Sequence, residues 1–208
     1  YLHKAKLEGA DFSGASLSSS FLRGASLIKS NLEGADLSFA YLEADEKGIY
    51  TPANLTYSYM KDAKLDDAHL NQVRFDYVSW YGEHASALRA TMVKTSFTNA
   101  NCSEVDFADA HLQGANFTNA VLVNTNFTGA GLNKYYQDNA TSNADLNSCS
   151  KGEGNKTNFS STVLKGADFT SAKLDGADFS NALVSIGTGK TTIEVLISPD
   201  EWGFFEKD

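Results

Sequence analysis

A five-residue period runs through most of this chain and limits what it can fold into. A Leu or Phe stands at every fifth position, and a small residue, mostly Ala or Ser, stands two positions before it. The first run has nine such centres, from Leu2 to Leu42. Later runs cover Leu55–Trp80, Met92–Leu132 and Phe159–Phe179, with Leu146 alone before the last. This period fits neither the 3.6 of a helix nor the 2 of a strand. It predicts a chain that turns a corner every five residues and points the same two side chains inward on each flat segment.

The individual segments resemble the pentapeptide-repeat proteins, whose consensus is Ala, then Asp or Asn, then Leu or Phe, then two variable residues. Matching segments are Ala35-Asp36-Leu37, Ala115-Asn116-Phe117 and Ala177-Asp178-Phe179. The resemblance implies an all-β fold, a right-handed quadrilateral parallel β-helix with four pentapeptides per coil. For this chain that means a solenoid of about eight to nine coils with loop insertions and a short C-terminal cap that is not part of the repeat.

The central residues alternate between Phe and Leu in the third and last runs. With four segments per coil, this alternation places Phe on two opposite walls and Leu on the other two. We therefore expect Phe107 to stack on Phe127, and Phe159 on Phe179, at the spacing of paired strands.

Four breaks in the period predict the domain organisation. We expect residues 1–190 to form the β-helix, with insertions near 44–52, 81–90, 133–143 and 147–156. Each break is either a few residues beside a degenerate repeat or seven to nine residues that replace one, and the spacing alone leaves both open. Residues 191–208 read as a strand followed by a short helix that caps the open end, or that forms a homodimer through it, as the resemblance to topoisomerase-protecting members implies.

The sequence predicts no enzyme, cofactor or metal site. The four His residues lack ligand spacing: they are His3, His69, His84 and His111. Cys102 occupies an inward position and Cys149 lies in an insertion, so their pairing stays open. No apolar run reaches the length of a membrane span and no leader is visible, which favours the cytoplasm without deciding the compartment. Because Tyr1 is already in register, we expect the natural protein to continue upstream.

The net charge of -9 argues against direct nucleic-acid binding. A DNA mimic that inhibits or protects DNA gyrase or another topoisomerase is an alternative that the resemblance implies. Mimicry requires carboxylates at regular steps along the rod. Asp66 and Asp67 have Ser86 and Ala87 twenty residues on, and the counterparts of Asp106 and Asp109 are likewise not acidic. The sequence therefore predicts no acidic stripe.

Two sets of aromatic residues recur at the coil period. Tyr1, Phe21 and Tyr41 precede a centre, and Tyr57 and Tyr77 follow one by two positions. We expect each set to form an exposed ladder and the five residues to form a surface that binds another protein, in a non-enzymatic interaction or scaffolding module. Two other readings stay open: the rings pack beneath the insertions or only stabilise the sheet, and a ligand site lies in the loops.

Overall fold

Parallel pairing between segments about one coil apart builds the molecule. The computed structural model describes residues 1–132, 157–174, 176–188 and 191–196. Each repeat forms one bridge to the next coil: Leu7 N–H donates to the Ser26 carbonyl at 2.8 Å, and Ser26 N–H donates to the Ala5 carbonyl at 2.9 Å. The bridges line up in four ladders, which form the four walls of a parallel β-helix.

We number the walls in chain order. The ladders run from Lys6 to Asp178 on wall 1, from Asp11 to Leu183 on wall 2, from Ser16 to Asp168 on wall 3 and from Phe21 to Lys173 on wall 4. Wall 1 lies opposite wall 3, and wall 2 opposite wall 4. The residue two positions after each centre turns the corner to the next wall.

The corners require left-handed backbone dihedrals. Residues at this position have positive φ, for example Gly9 at 69° and Asn119 at 58°. Gly reaches this region without a steric cost, and Asn tolerates it better than most residues. A tight hydrogen bond closes each turn, as from Ala10 N–H to the Leu7 carbonyl at 3.1 Å. The left-handed corners thus explain why Gly and Asn recur two positions after the centres.

The inside of the tube is filled by the central residues. Phe107 stacks on Phe127 with ring centroids 5.3 Å apart, and Phe159 stacks on Phe179 at 4.7 Å, which confirms the predicted pairs. Rings from walls 1 and 3 meet edge to face across the core, as Phe107 and Phe117 do at 6.1 Å. Both arrangements are favourable for aromatic rings, so the repeat stabilises itself along and across the axis.

Asn and Asp residues before the centres satisfy polar groups on the outside of the walls. The Asn116 side-chain oxygen accepts the Thr118 backbone N–H at 3.0 Å, and Asp36 accepts that of Ser38 at 2.9 Å. The hydrogen bond from the Ser38 backbone holds the pKa of the Asp36 carboxyl below its usual value. This local bond explains why the position before a centre favours Asn and Asp.

The bridge intervals show how each break is accommodated. Ser26 pairs with Asn54, 28 positions away, so the first break adds eight residues to the twenty of a coil and no repeat is lost. Lys64 pairs with Ser86, 22 positions away, so the second adds two residues beside a degenerate repeat whose centre is Ala87. Asn116 pairs with Asn158 across the third and fourth breaks. The insertions expected at 133–143 and 147–156 lie outside the described residues, as do Leu146 and Cys149.

The C-terminal part contains an antiparallel hairpin. Strand β1 is Leu183–Thr188 and strand β2 is Thr191–Leu196, with Leu183 opposite Leu196. The hairpin straddles the domain boundary expected at residue 190, and its second strand contains Ile193 and Val195. The short helix expected after this second strand lies outside the described residues.

Trp80 compensates for the small centre of the degenerate repeat. The Trp80 side chain is fully buried, its Nε1–H donates to the Ala63 carbonyl at 3.0 Å, and its ring meets the edge of Phe107 at 5.4 Å. Ala87 lies on wall 3 beneath Phe107, where the other centres are Leu or Phe. The indole therefore fills the space that Ala87 leaves.

We predict that Trp80→Ala lowers the free energy of unfolding by about 3–5 kcal/mol, because it leaves a cavity in the core. Adding Ala87→Phe should recover part of this loss, because a ring on wall 3 fills the same space beneath Phe107. Urea denaturation of the single and double variants measures both effects. A double variant that is less stable than Trp80→Ala would show that Ala87 is not an inward centre.

Candidate functional site

An aromatic column runs along the outside of wall 4. The rings of Tyr1, Phe21, Tyr41 and His69 stack in that order, with centroid distances of 5.0, 5.0 and 4.5 Å. These spacings are those of successive coils, so the wall itself fixes the column. The structure thus brings Tyr1, Phe21 and Tyr41 together and adds His69 to them.

The first insertion packs beside this column. The ring of Tyr50 stacks on His3 at 4.3 Å, and the Lys4 ammonium lies 5.2 Å from the centre of the Tyr50 ring. Asp45 anchors the turn because its carboxylate accepts the Tyr50 N–H at 2.6 Å, and this hydrogen bond lowers the pKa of the Asp45 carboxyl. The insertion therefore holds a further ring at the edge of wall 4.

A polar cluster orients the far end of the column. The Glu43 carboxylate accepts a hydrogen bond from Asn71 Nδ2 at 2.6 Å and lies 3.9 Å from Arg23 Nη2 and 3.7 Å from His69 Nδ1. Arg23 in turn lies over the Tyr41 ring, 5.3 Å from its centre. These contacts limit the movement of the column and place a guanidinium group against it.

Within the described residues, the exposed apolar side chains of this wall lie in its N-terminal half. Phe39 and Ile49, on either side of the column, are 53% and 55% exposed. We name this surface the wall 4 patch; its residues are Tyr1, Phe21, Phe39, Tyr41, Ile49 and Tyr50. Farther along wall 4, Val93, Gln113 and Gly131 are buried.

Tyr57 and Tyr77 do not belong to this patch. They stack on each other at 4.7 Å at the corner between walls 1 and 2, so wall 1 separates them from wall 4. Two tyrosines on wall 2 lie near them: Tyr59 and Tyr81 meet edge to face, with hydroxyl oxygens 3.3 Å apart. The hydrogen bond with Tyr81 and burial raise the pKa of Tyr59 to about 12. The five predicted residues therefore lie on two separate surfaces.

Three exposed aromatic residues occupy corner positions that suit them poorly. Phe39, Tyr57 and Tyr77 have φ of 60°, 62° and 56°. A bulky side chain is strained in this region. Other coils place Gly129 at the corner of Phe39, and Gly9 or Asn99 at the corner of the two tyrosines, although the long side chains of Lys29 and Arg89 also occupy these corners. The fold gains no core packing from these half-exposed rings. Strained residues of this kind cluster at functional sites, so the rings are candidates for recognition.

Comparison with known proteins identifies the repeat. A sequence model described as pentapeptide repeats matches eight copies in residues 2–43, 100–134 and 155–183, about half of the chain. The chain belongs to the pentapeptide-repeat family. Members of this family are right-handed quadrilateral β-helices, in agreement with the four walls described above. A search of curated proteins gives no match.

Solved structures of other pentapeptide-repeat proteins resemble this chain. HetL, from the cyanobacterium Nostoc sp. strain PCC 7120 and involved in heterocyst differentiation regulation, is 20% identical, with 86% of this chain and 84% of HetL covered and a TM-score of 0.40. The plasmid-mediated fluoroquinolone resistance protein QnrB1 is 14% identical, with 86% of each chain covered and a TM-score of 0.41. Rfr23 from the cyanobacterium Cyanothece 51142 is 19% identical, with 76% of this chain and 89% of Rfr23 covered and a TM-score of 0.24.

A basic residue, Arg89, lies next to the acidic pair Asp66 and Asp67 in the adjacent coil of this pentapeptide-repeat solenoid. Arg89 forms a two-pronged ion pair with Asp67, at 2.6 and 2.9 Å. The two-residue insertion shifts the register, so the coil neighbours of Asp66 and Asp67 are Leu88 and Arg89, not the expected Ser86 and Ala87. As predicted from the sequence, Asp66 and Asp67 have no acidic neighbour in the next coil, but the neighbours predicted for them were the wrong residues. The true neighbour of Asp67 is Arg89, which neutralises its charge.

The loops offer little for a small ligand within the described ranges. A shallow cavity of about 340 Å³ lies where the first insertion rejoins wall 1, lined by Gly24, Thr51, Pro52 and Arg74 among others. In the same ranges, no group of three His, Cys, Asp or Glu side chains is arranged to hold a metal ion, and no helix could cross a membrane. Cys102 is buried in the core, and burial raises the pKa of its thiol.

We predict that Phe39→Asn leaves thermal stability unchanged or raises it, by up to about 1 kcal/mol in the free energy of unfolding, because Asn relieves the strain of a bulky residue at positive φ. Tyr41→Asn is the matched control: Tyr41 lies on a flat wall, and its removal breaks two ring stacks. Thermal unfolding of both variants makes the comparison. A loss of stability from Phe39→Asn as large as that from Tyr41→Asn would contradict the assignment of Phe39 to recognition.

Proposed function

We propose that this chain is a non-enzymatic pentapeptide-repeat module whose wall 4 patch binds another protein. The observation that carries the proposal is an exposed apolar patch on a rigid wall, with a strained Phe39 at its edge. Exposed apolar surface costs solubility, and large patches of it on folded proteins mark sites of interaction. A wall fixed by bridges to both neighbouring coils presents the rings in one arrangement, which reduces the entropy lost on binding.

Stabilisation of the sheet does not account for the whole patch. Stacking explains Phe21 and Tyr41, because each ring covers its neighbour. It does not explain Phe39 or Ile49, which are more than half exposed and lie outside the column. Packing of the first insertion against wall 4 explains only the side of the Tyr50 ring that stacks on His3. A recognition surface explains all of these positions together.

The composition of the patch also suits a protein partner. Aromatic residues and Arg are enriched at interfaces and at the residues that dominate binding energy. Here Arg23 lies against Tyr41, and Lys4 against Tyr50. Both cations are held at the rim of an apolar strip, where an interface places its polar groups.

We also propose the finer architecture, a rod of about eight to nine right-handed coils whose C-terminal end is closed by residues 191–208. The hairpin of β1 and β2 supports this cap, because an uncovered coil would expose unpaired backbone groups. A homodimer through this end is the alternative arrangement.

The two other functions have weaker support. For a DNA mimic, Arg89 removes charge where a regular row of carboxylates is needed. For a loop-borne ligand site, the cavity beside Thr51 is shallow and open. A supercoiling assay with purified gyrase tests the first, and inhibition at micromolar protein would favour it.

We predict that the double variant Phe21→Ser/Tyr41→Ser loses its specific partner. Affinity capture with purified wild-type and variant chains identifies the partner, and titration of the purified pair measures affinity. We expect the dissociation constant to rise at least tenfold, because two central rings of the interface are removed.

Leu88→Ser on wall 3 is the control, since it makes a similar apolar-to-polar change away from the patch. It should bind like the wild type. Both variants must unfold cooperatively before they are compared. Unchanged affinity for every captured partner in the double variant would rule out the wall 4 patch as the binding surface.

A further inference from the structure

Wall 2 carries a second apolar surface that the period alone did not reveal. Tyr59 and Tyr81 lie on this wall in adjacent coils, and Tyr57 and Tyr77 border it at the corner with wall 1. Tyr57 and Tyr77 are 53% and 47% exposed and sit in strained corner dihedrals. Wall 2 lies opposite wall 4, so this surface is separate from the patch described above.

An aliphatic group continues the surface towards the C-terminal end of wall 2. Val121 pairs with Val163, and Val163 pairs with Leu183, in three successive coils. Val121 is 37% exposed, and Val123 is partly exposed beside it. The equivalent positions on wall 1 hold Asn116 and Asn158, so the solenoid does not require Val here. The polar residues Asn101 and Ser103 separate the valines from the tyrosines, and Lys61 and Lys165 lie on the same wall beside Tyr59 and Val163.

Three acidic residues border the tyrosines along the corner between walls 2 and 3. Asp62 and Glu104 occupy corner positions two coils apart, and Glu83 lies in the two-residue insertion between them. The His84 backbone N–H donates to the Asp62 carboxylate at 3.2 Å, which fixes this insertion beside the corner. Glu83 and Glu104 are exposed. Lys61 on wall 2 lies 3.9 Å from the Asp62 carboxylate and 3.5 Å from that of Glu33, so Glu83 and Glu104 are the exposed acidic groups of this rim.

We propose that wall 2 binds a basic amphipathic α-helix of a partner protein, with the helix axis parallel to the axis of the solenoid. Coils repeat about every 4.8 Å, and a helix rises about 5.4 Å per turn. Successive turns of such a helix meet successive coils closely enough to place one anchor on each. From Tyr59 to Leu183 the surface spans about five coil steps, roughly 24 Å, the length of a helix of about 16 residues.

The order of apolar and polar side chains along wall 2 specifies where the bound helix needs apolar, polar and basic residues. Apolar anchors at i and i+4 contact the tyrosines, and anchors at i+11 and i+14 contact the valines, with a polar residue near i+7 opposite Asn101 and Ser103. Lys or Arg residues beside this stripe reach Glu83 and Glu104. The excess of acidic residues in the chain, with a net charge of -9, also favours association with a basic partner.

Other occupants fit wall 2 less well. The backbone groups of the wall already pair with both neighbouring coils, so an added β-strand would find no free edge. A second copy of the chain carries the same net charge of -9, so it complements the acidic rim less well than a basic helix does. The charge pattern therefore selects a basic helix.

The test uses a labelled synthetic helix of about 18 residues with Leu at i, i+4, i+11 and i+14, Lys on both flanks of the Leu stripe, and Ala and Gln elsewhere. Fluorescence anisotropy measures its binding to the full chain. We expect saturable binding that weakens as salt is raised and that falls at least tenfold for Val121→Asp/Val163→Asp. Circular dichroism should show a gain of helix in the complex.

Two controls separate this proposal from nonspecific attraction and from the wall 4 patch. A peptide of the same composition with the Leu residues moved off one face should bind at least tenfold more weakly. The chain variant Phe21→Ser/Tyr41→Ser should bind the helix like the wild type, so the two surfaces can fail independently. The proposal is overturned by no binding, by equal binding of the rearranged peptide, by unchanged binding to the Val variant, or by a concentration-dependent dimer of the chain alone that this variant abolishes.

Discussion

The stacking of each coil on the next is the interaction on which this structure depends. Every repeat contributes one backbone bridge and one inward side chain, and the inward side chain contacts its equivalent about 4.8 Å away in the next coil. Phe97 on Phe117, with centroids 4.8 Å apart and planes 2° from parallel, shows how closely the two spacings agree. Because rings and backbone share this spacing, Leu and Phe can recur at every fifth position without strain in the core.

This constraint leaves the outer side chains to carry function. In the inner coils the centres and the small residues before them are buried, and the backbone groups are paired between coils. Only the side chains on the outside of the walls, the corners and the insertions can change without disturbing the tube. Wall 4 and wall 2 use this freedom for aromatic and aliphatic groups, whereas wall 1 beyond Arg74 carries Asn, Asp, Ser and Thr. The two surfaces that we propose for binding lie on opposite walls of the tube.

Much of the fold was predictable because the period is unambiguous wherever Leu or Phe marks the centre. Ala87 was missed because Ala is typical of the position two before a centre, so an Ala at the centre gives no signal. As a result, the residues expected to lie beside Asp66 and Asp67 in the next coil were two positions too early in the sequence. The ion pair between Arg89 and Asp67 was missed for the same reason. The tube accepts Ala87 because Trp80 fills the space from the adjacent wall, a compensation that is visible only in three dimensions.

The candidate sites were predictable only in part. Tyr1, Phe21 and Tyr41 share one repeat position and one column, as the twenty-residue spacing indicated. Tyr57 and Tyr77 share a different position, and that difference already placed them on a corner away from the first three. Val121 and Val163 lie 42 residues apart, and no spacing could pair them without the combined size of the third and fourth breaks. Val at a position that favours Asn or Asp was the available signal.

Disulfide cross-linking across the first insertion tests the central claim, the stacking register, most directly. In a background with Cys102 and Cys149 replaced by Ala, Ser26→Cys with Asn54→Cys should form a disulfide on mild oxidation, because bridge partners in adjacent coils lie within disulfide distance. Asn31→Cys with Asn54→Cys should stay reduced. A cross-link in the second pair and none in the first, seen by mass spectrometry, would mean that the insertion replaces a wall and would contradict the four-wall register.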